Sequence, residues 1–234
     1  MPEFLASPEF WIAVLQIIAI DVVLSGDNAV VIALACRDLP LEQRRQGILW
    51  GVTGAVGLRI VLTFFAVGLL GFPWLKVLGG LLLLWIGVKL LLPEAEGEGH
   101  DIAPASHLWG AVKTIIIADF VMSLDNVVGV AAAAKGDVAL LIFGLLVSIP
   151  LIVWSSQLIM KLMERFPVIV VLGAALLGYV AGEMIVGDPA LADWLRDLPR
   201  YTAPLAGVVG AVLVVLTGKL IERHRAQARD LTVE

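Results

Sequence analysis

Long apolar runs alternate with short polar breaks along this chain. About 18 consecutive apolar residues are enough to span a bilayer as a helix, and the spacing predicts seven helices. They fall at about 10–35, 47–70, 74–92, 108–134, 138–160, 168–187 and 204–221. The breaks carry helix-stopping residues. Asp38, Leu39 and Pro40 follow the first run, and Gly71, Phe72 and Pro73 separate the second from the third. Pro93 ends the third, Lys135, Gly136 and Asp137 divide the fourth from the fifth, and Phe166 and Pro167 open the sixth.

Composition agrees with this pattern. Hydrophobic residues make up 60% of the 234 positions and charged residues 16%, with a mean hydropathy of +0.97. A soluble domain of this length does not need so much apolar sequence. The expected fold class is therefore an all-α polytopic membrane protein. The first residues, Met1 to Phe4, lack a basic stretch, and no small-residue cleavage site closely follows the first run. That run is expected to be a retained helix, not a signal peptide. One cysteine, Cys36, excludes an internal disulfide and a thiolate metal cluster. A net charge of −5 provides no basic field for nucleic acid.

Two polar stretches interrupt the apolar pattern and resemble each other. Asp21, Ser25, Asp27 and Asn28 lie in the first predicted helix; Asp119, Ser123, Asp125 and Asn126 lie in the fourth at the same relative spacing. A weaker match aligns Leu78, Gly79 and Gly80 with Leu172, Gly173 and Ala174. That register sets Trp85 against Tyr179 and Lys89 against Glu183. The chain then divides into a first repeat at 1–92, an acidic linker at 93–107 and a second repeat at 108–187. A periplasmic loop, the last helix and a basic tail occupy 188–234. Three helices per copy is an odd number, so the second copy enters the membrane from the opposite side. The architecture expected is an inverted repeat of 3+3 helices plus one, frequent among secondary transporters.

Lysine and arginine in the short loops set the orientation. Arg37, Arg44, Arg45, Lys161, Arg165, Arg223, Arg225 and Arg229 fall on one side; Lys76, Lys135, Arg196 and Arg200 fall on the other. The richer side reads as cytoplasmic, with the N-terminus out and the C-terminus in. The linker, with Glu94, Glu96, Glu98, His100 and Asp101, reads as a solvated connection. Glu222, Arg223, His224 and Arg225 read as a juxtamembrane anchor.

A carboxylate at membrane depth costs roughly 2.5–3.5 kcal/mol on insertion scales, so four in two helices point to function. At 100° per residue Asp21, Ser25 and Asn28 share one helix face, and Asp27 points about 120° away. The second motif repeats this geometry. Either the helix unwinds near Gly26, exposing carbonyl oxygens as further ligands, or Asp27 and Asp125 serve a separate site. Carboxylate, amide and hydroxyl oxygens are hard ligands that suit Mg²⁺, Ca²⁺ or Mn²⁺. Met122 would add a soft ligand if it did more than pack. Arg59, near the middle of the second helix, is expected to neutralise one carboxylate when no metal is bound, or to form a structural ion pair. Lys89 reads as snorkelling. Glu183, followed by Asp188, is a candidate for an ion pathway.

The doubled motif, with Ser25, Gly26, Asp27 and Asn28 in one copy and Ser123, Leu124, Asp125 and Asn126 in the other, each preceded by an Asp, resembles the TerC family of integral membrane proteins. Within it, the likeness is to the short bacterial YjbE-type branch. Gly178 to Met184 in the sixth helix also resembles that family, and the match covers roughly residues 10–188. The resemblance implies a bacterial inner-membrane protein related to the LysE transporter superfamily, linked to Mn²⁺ export and, by name, to tellurite resistance. It implies metal contacts from Asp21, Asp27, Asn28, Asp119, Asp125 and Asn126. Ser25, Ser123, Arg59, Glu183 and Lys89 are the supporting residues expected from the sequence itself.

The function expected is export of a divalent cation, Mn²⁺ foremost, by ion-coupled alternating access. The metal is the substrate, with no resident cofactor. No Gly-x-x-x-x-Gly-Lys-Ser/Thr loop is present, so H⁺ or Na⁺ is the expected coupling ion. Partners are then the cation, the coupling ion and the bilayer, with no nucleic acid and with room for a homo-oligomer. One alternative is a non-transporting scaffold or insertion partner with a structural metal. A remote one is an intramembrane aspartyl hydrolase whose two carboxylates share a proton. The chain is expected not to be an enzyme, with no catalytic residue.

Overall fold

The computed structural model describes residues 8–24, 26–92, 104–134, 137–196, 198–199 and 201–230. Among these, the regular structure is helical and no strand occurs. The helices are α1 (Pro8–Leu24), α2 (Gly26–Cys36), α3 (Leu41–Leu70), α4 (Leu75–Leu91), α5 (Pro104–Ala134), α6 (Val138–Arg165) and α7 (Val168–Val186). A 3₁₀ turn, Pro189–Leu191, leads to the short α8 (Ala192–Leu195), and α9 (Thr202–Asp230) follows.

Five helices are long and apolar enough to cross a membrane: α3, α5, α6, α7 and α9. They match the second, fourth, fifth, sixth and seventh predicted runs. The third predicted run is α4, with 17 residues. The first corresponds to α1 and α2, on either side of Ser25, which lies outside the described residues. Phe64, Phe65, Leu78, Trp154 and Leu172 are each 60% exposed or more. So many large apolar side chains facing outward suit lipid and not water. The chain is a multi-pass integral membrane protein.

Helix ends differ from the apolar runs where polar residues extend them. The second run starts near residue 47, whereas α3 begins at Leu41, one position after Pro40. The last run ends near 221, yet α9 continues to Asp230. Glu, Gln, Arg and Ala in these extensions are good helix formers. Hydropathy reads the membrane boundary and is blind to a helix that leaves it. Within α6 the helix continues through Pro150, which supplies no N–H to the ladder.

Two compact units make up the chain, and each draws on both halves of the sequence. One comprises Met1–Phe72 with Ala103–Lys161; the other comprises Pro73–Ile102 with Leu162–Glu234. In the first unit α3 packs along α5. Gly51 and Gly54 make this fit: a Cβ at either position would run into Ile115 or Ile116 of α5. Their absent side chains seat those isoleucines and fix the register of the two helices.

In the second unit α7 packs against α9 and α4. A Cβ on Gly182 would overlap the carbonyl of Ala206, and one on Gly178 would overlap that of Gly210. Such close backbone approach is how helices associate where lipid removes the hydrophobic drive. The start of α4 is tied down by Asp188, which is 1% exposed. One of its oxygens accepts from the N–H of Trp74 at 2.9 Å and the other from Val77 at 3.0 Å. It also accepts from the N–H of Ala190 at 2.7 Å. Trp74 has φ 68, a left-handed conformation that costs a non-glycine residue about 1–2 kcal/mol. Asp188, which follows Glu183 as a sequence candidate for an ion pathway, has both oxygens engaged in capping these backbone N–H groups.

Burial disfavours the charged form of Asp188. The N–H groups of Ala190, Trp74, Val77 and Lys76 together outweigh it and hold the carboxyl below its ordinary value. The sign follows: this stabilisation is complete above the ordinary carboxyl range and is lost as pH falls through the lowered value. Asp188→Ala should therefore cost about 1–3 kcal/mol at neutral pH by removing the charged acceptor from these part-buried N–H groups, and the loss should shrink in acid. Gly182→Ala should cost a similar amount, about 1–3 kcal/mol, by overpacking, with no such pH dependence. Thermal unfolding in detergent, followed by tryptophan fluorescence across pH, measures both.

Candidate functional site

The first unit carries the buried polar groups of the doubled motif. Asp21 on α1, Asn28 on α2, Arg59 on α3, and Asp119 and Ser123 on α5 are all buried. These positions come from four helices, and each helix is apolar enough that the polar residues stand out. They converge on the guanidinium of Arg59.

Arg59 uses its whole donor fork. Its Nη1 donates to Asp21 Oδ1 in a close ion pair. Its Nη2 donates to Asp119 Oδ1 at 2.6 Å, and its Nε donates to Ser123 Oγ at 3.1 Å. Ser123 Oγ in turn donates to Asp119 Oδ2 at 3.1 Å, one helical turn back on α5. The expected face-sharing of Asp119 and Ser123 is thus present. A planar fork that donates from three nitrogens to three separate side chains is available to arginine and not to lysine.

Asn28 links α2 to the same cluster. Its Nδ2 donates to Asp119 Oδ1 at 3.0 Å. Its Oδ1 is buried and has no hydrogen-bond partner among the described residues. A cavity of about 10 Å³ is lined by Asn28, Val31, Ile32, Ile115 and Asp119. That volume matches one water-sized occupant. An amide oxygen with no donor and a carboxylate, on two residues that line a space of that size, are hard donors suited to a small cation.

The other predicted residues sit differently. Asp27, half-buried in the first turn of α2, accepts from the backbone N–H of Asn28 at 2.9 Å. A carboxylate there also complements the helix dipole. Asn126 is half-buried on α5. The backbone of Asp125 lies in α5, but its side chain, like Ser25 and the linker at 93–103, lies outside the described residues. Met122 is buried on α5. Among the described residues no group of three or more His, Cys, Asp or Glu side chains forms a metal-binding cluster. The two buried carboxylates here are completed by an amide, a hydroxyl and a guanidinium.

Lys89 and Glu183 belong to the second unit. Lys89 Nζ lies 5.3 Å from the centroid of the Trp85 ring. Tyr179 Oη donates to Glu183 at 2.9 Å. Each charged residue therefore meets an aromatic one turn earlier, at positions the sequence register had already paired. Sequence reasoning assigned Arg59 to a single carboxylate. Its contact with both needs three helices packed together, which no local signal encodes.

The profile of the integral membrane protein TerC family matches residues 6–226. The chain is 46% identical to the membrane protein YjbE of Bacillus subtilis over 209 residues, which are 89% of this chain and 91% of YjbE. It is 27% identical to YceF of the same organism over 190 residues, 78% of this chain and 74% of YceF. It is 24% identical to the inner membrane protein YgdQ of Escherichia coli over 199 residues, 78% of this chain and 84% of YgdQ. No solved structure matches it. The profile runs nearly the full length of the chain and takes in both acidic motifs, so this protein belongs to the integral membrane protein TerC family.

Proposed function

We propose that this protein is a secondary transporter that exports a divalent metal cation, Mn²⁺ foremost, from the cell. The observation that carries this reading is the convergence of Asp21 and Asp119 on one cationic group inside apolar helices. They occupy equivalent positions in the doubled motif. The cluster holds two carboxylates to one guanidinium, a formal charge of −1. A purely structural role is a poor reason for it, since well-packed apolar residues often replace a buried ion pair at no loss of stability.

Alternating access through an inverted repeat is part of the proposal. Two observations support it. The first unit draws the first two predicted helices from each half of the chain, and the second draws the third helix from each half together with the last. The pairs Trp85–Lys89 and Tyr179–Glu183 each set a charged side chain against an aromatic one four residues earlier in the expected register, a cation over a ring in one and a phenol–carboxylate hydrogen bond in the other. The proposed orientation has the N-terminus outside and the C-terminus inside. The metal ligands proposed are Asp21, Asp119 and Asn28, with Asp27, Asp125 and Asn126 completing the set as the helices move. Mn²⁺ is favoured over Mg²⁺ and Ca²⁺ only by what the sequence resemblance implies, since the oxygen ligands alone accept all three.

Asp119→Asn should lower Mn²⁺ efflux from proteoliposomes by at least about tenfold, the equivalent of 1.4 kcal/mol in binding. Asp27→Asn is the cleaner test. It keeps the side chain's shape and an acceptor for the Asn28 N–H, so thermal stability should hold while flux falls. Wild-type flux in both variants would refute the assignment. Mn²⁺ binding without flux in the native protein would favour the scaffold reading.

The coupling ion is tested in the same vesicles. Imposed gradients of H⁺ and Na⁺ are applied separately with Mn²⁺ inside. Efflux should accelerate with one gradient, directed opposite to the metal, and slow when that gradient is collapsed. Efflux indifferent to both would contradict secondary active transport.

A further inference from the structure

We infer that Arg59 is a built-in competitor for the transported cation, a tethered positive charge that the metal displaces from Asp119 and Asp21 and that returns when the metal leaves. The inference rests on the transporter reading and deepens it.

The geometry is that of an occupied seat. The guanidinium binds one oxygen of each carboxylate and the Ser123 hydroxyl. The oxygens it engages are the hard ligands a divalent ion would use. Beside them stand the unpartnered Asn28 Oδ1 and the small cavity that the residues Asn28 and Asp119 line. A metal drawn to Asn28 and Asp119 therefore meets a carboxylate already engaged by Arg59. Among the described residues Arg59 is the one buried cationic side chain.

A carrier must release what it binds. A dry cluster of carboxylates, if left bare, would hold a divalent ion tightly and also be costly to bury without it. A tethered cation addresses both difficulties. It neutralises the carboxylates in the metal-free protein, and it competes at an effective concentration of about millimolar or more. Apparent metal affinity falls by the fraction of time the seat is open. Affinity is thereby reduced without removing any ligand, and release is assisted by the returning guanidinium.

The test measures Mn²⁺ binding to purified protein from the electron paramagnetic resonance signal of free Mn²⁺, together with efflux from proteoliposomes. Arg59→Gln should bind Mn²⁺ at least about tenfold more tightly than the native protein, while efflux becomes slower. Arg59→Lys keeps the charge but loses the fork, so its affinity should fall between the two. This variant also serves if Arg59→Gln fails to fold. Equal or weaker affinity in both variants would overturn the competitor role and leave Arg59 as a structural partner. Asp119→Asn supplies the control. If the native protein shows no Mn²⁺ binding that Asp119→Asn removes, the transporter assignment itself fails, which is a separate outcome.

Discussion

The ion-paired cluster of Arg59, Asp21 and Asp119 is the constraint around which the first unit is arranged. Each of the three charges alone would be expensive inside apolar helices. Together, with Ser123 and Asn28 completing the hydrogen bonds, they become tolerable. That requires α1, α3 and α5 to approach within the reach of one guanidinium. The glycines of α3 contribute to this. Gly51 and Gly54 accept Ile115 and Ile116, and about one turn further along the same interface Arg59 meets Asp119. Packing of small against large residues thus sets the register that the charges need.

The second unit solves a different problem by related means. Gly178 and Gly182 let α7 and α9 approach backbone to backbone. Asp188 supplies acceptors for the N–H groups at the start of α4, where the turn through Trp74 leaves the helix end with orphan donors. One unit places buried charge beside a small cavity. The other is held by close apolar contact and a capping carboxylate.

Much of the helical layout was legible in the chain, because a helix that crosses a membrane must be apolar over its whole length. The polar ends of α3 and α9 were not, since Leu41 to Gln46 and Glu222 to Asp230 are helical outside any apolar run. The shared face of Asp119 and Ser123 followed from helical period alone. Arg59 stood out as a charge in an apolar run, but its two partners are 38 and 60 positions away, beyond any local pattern. The capping role of Asp188 was hidden for the same reason. Its partners at Trp74 and Val77 are more than a hundred positions distant, so no local pattern ties it to the start of α4.

The central claim is that the buried carboxylate cluster is a seat for a divalent cation. Anomalous diffraction at the manganese absorption edge, from crystals of the native protein grown with Mn²⁺, tests it most directly. The account predicts a peak beside Asn28 Oδ1 and Asp119, with oxygen ligands at about 2.0–2.4 Å, between the Mg²⁺ and Ca²⁺ ranges. Anomalous density confined to the acidic segment at 93–103, or absent from the cluster at saturating Mn²⁺, would contradict it.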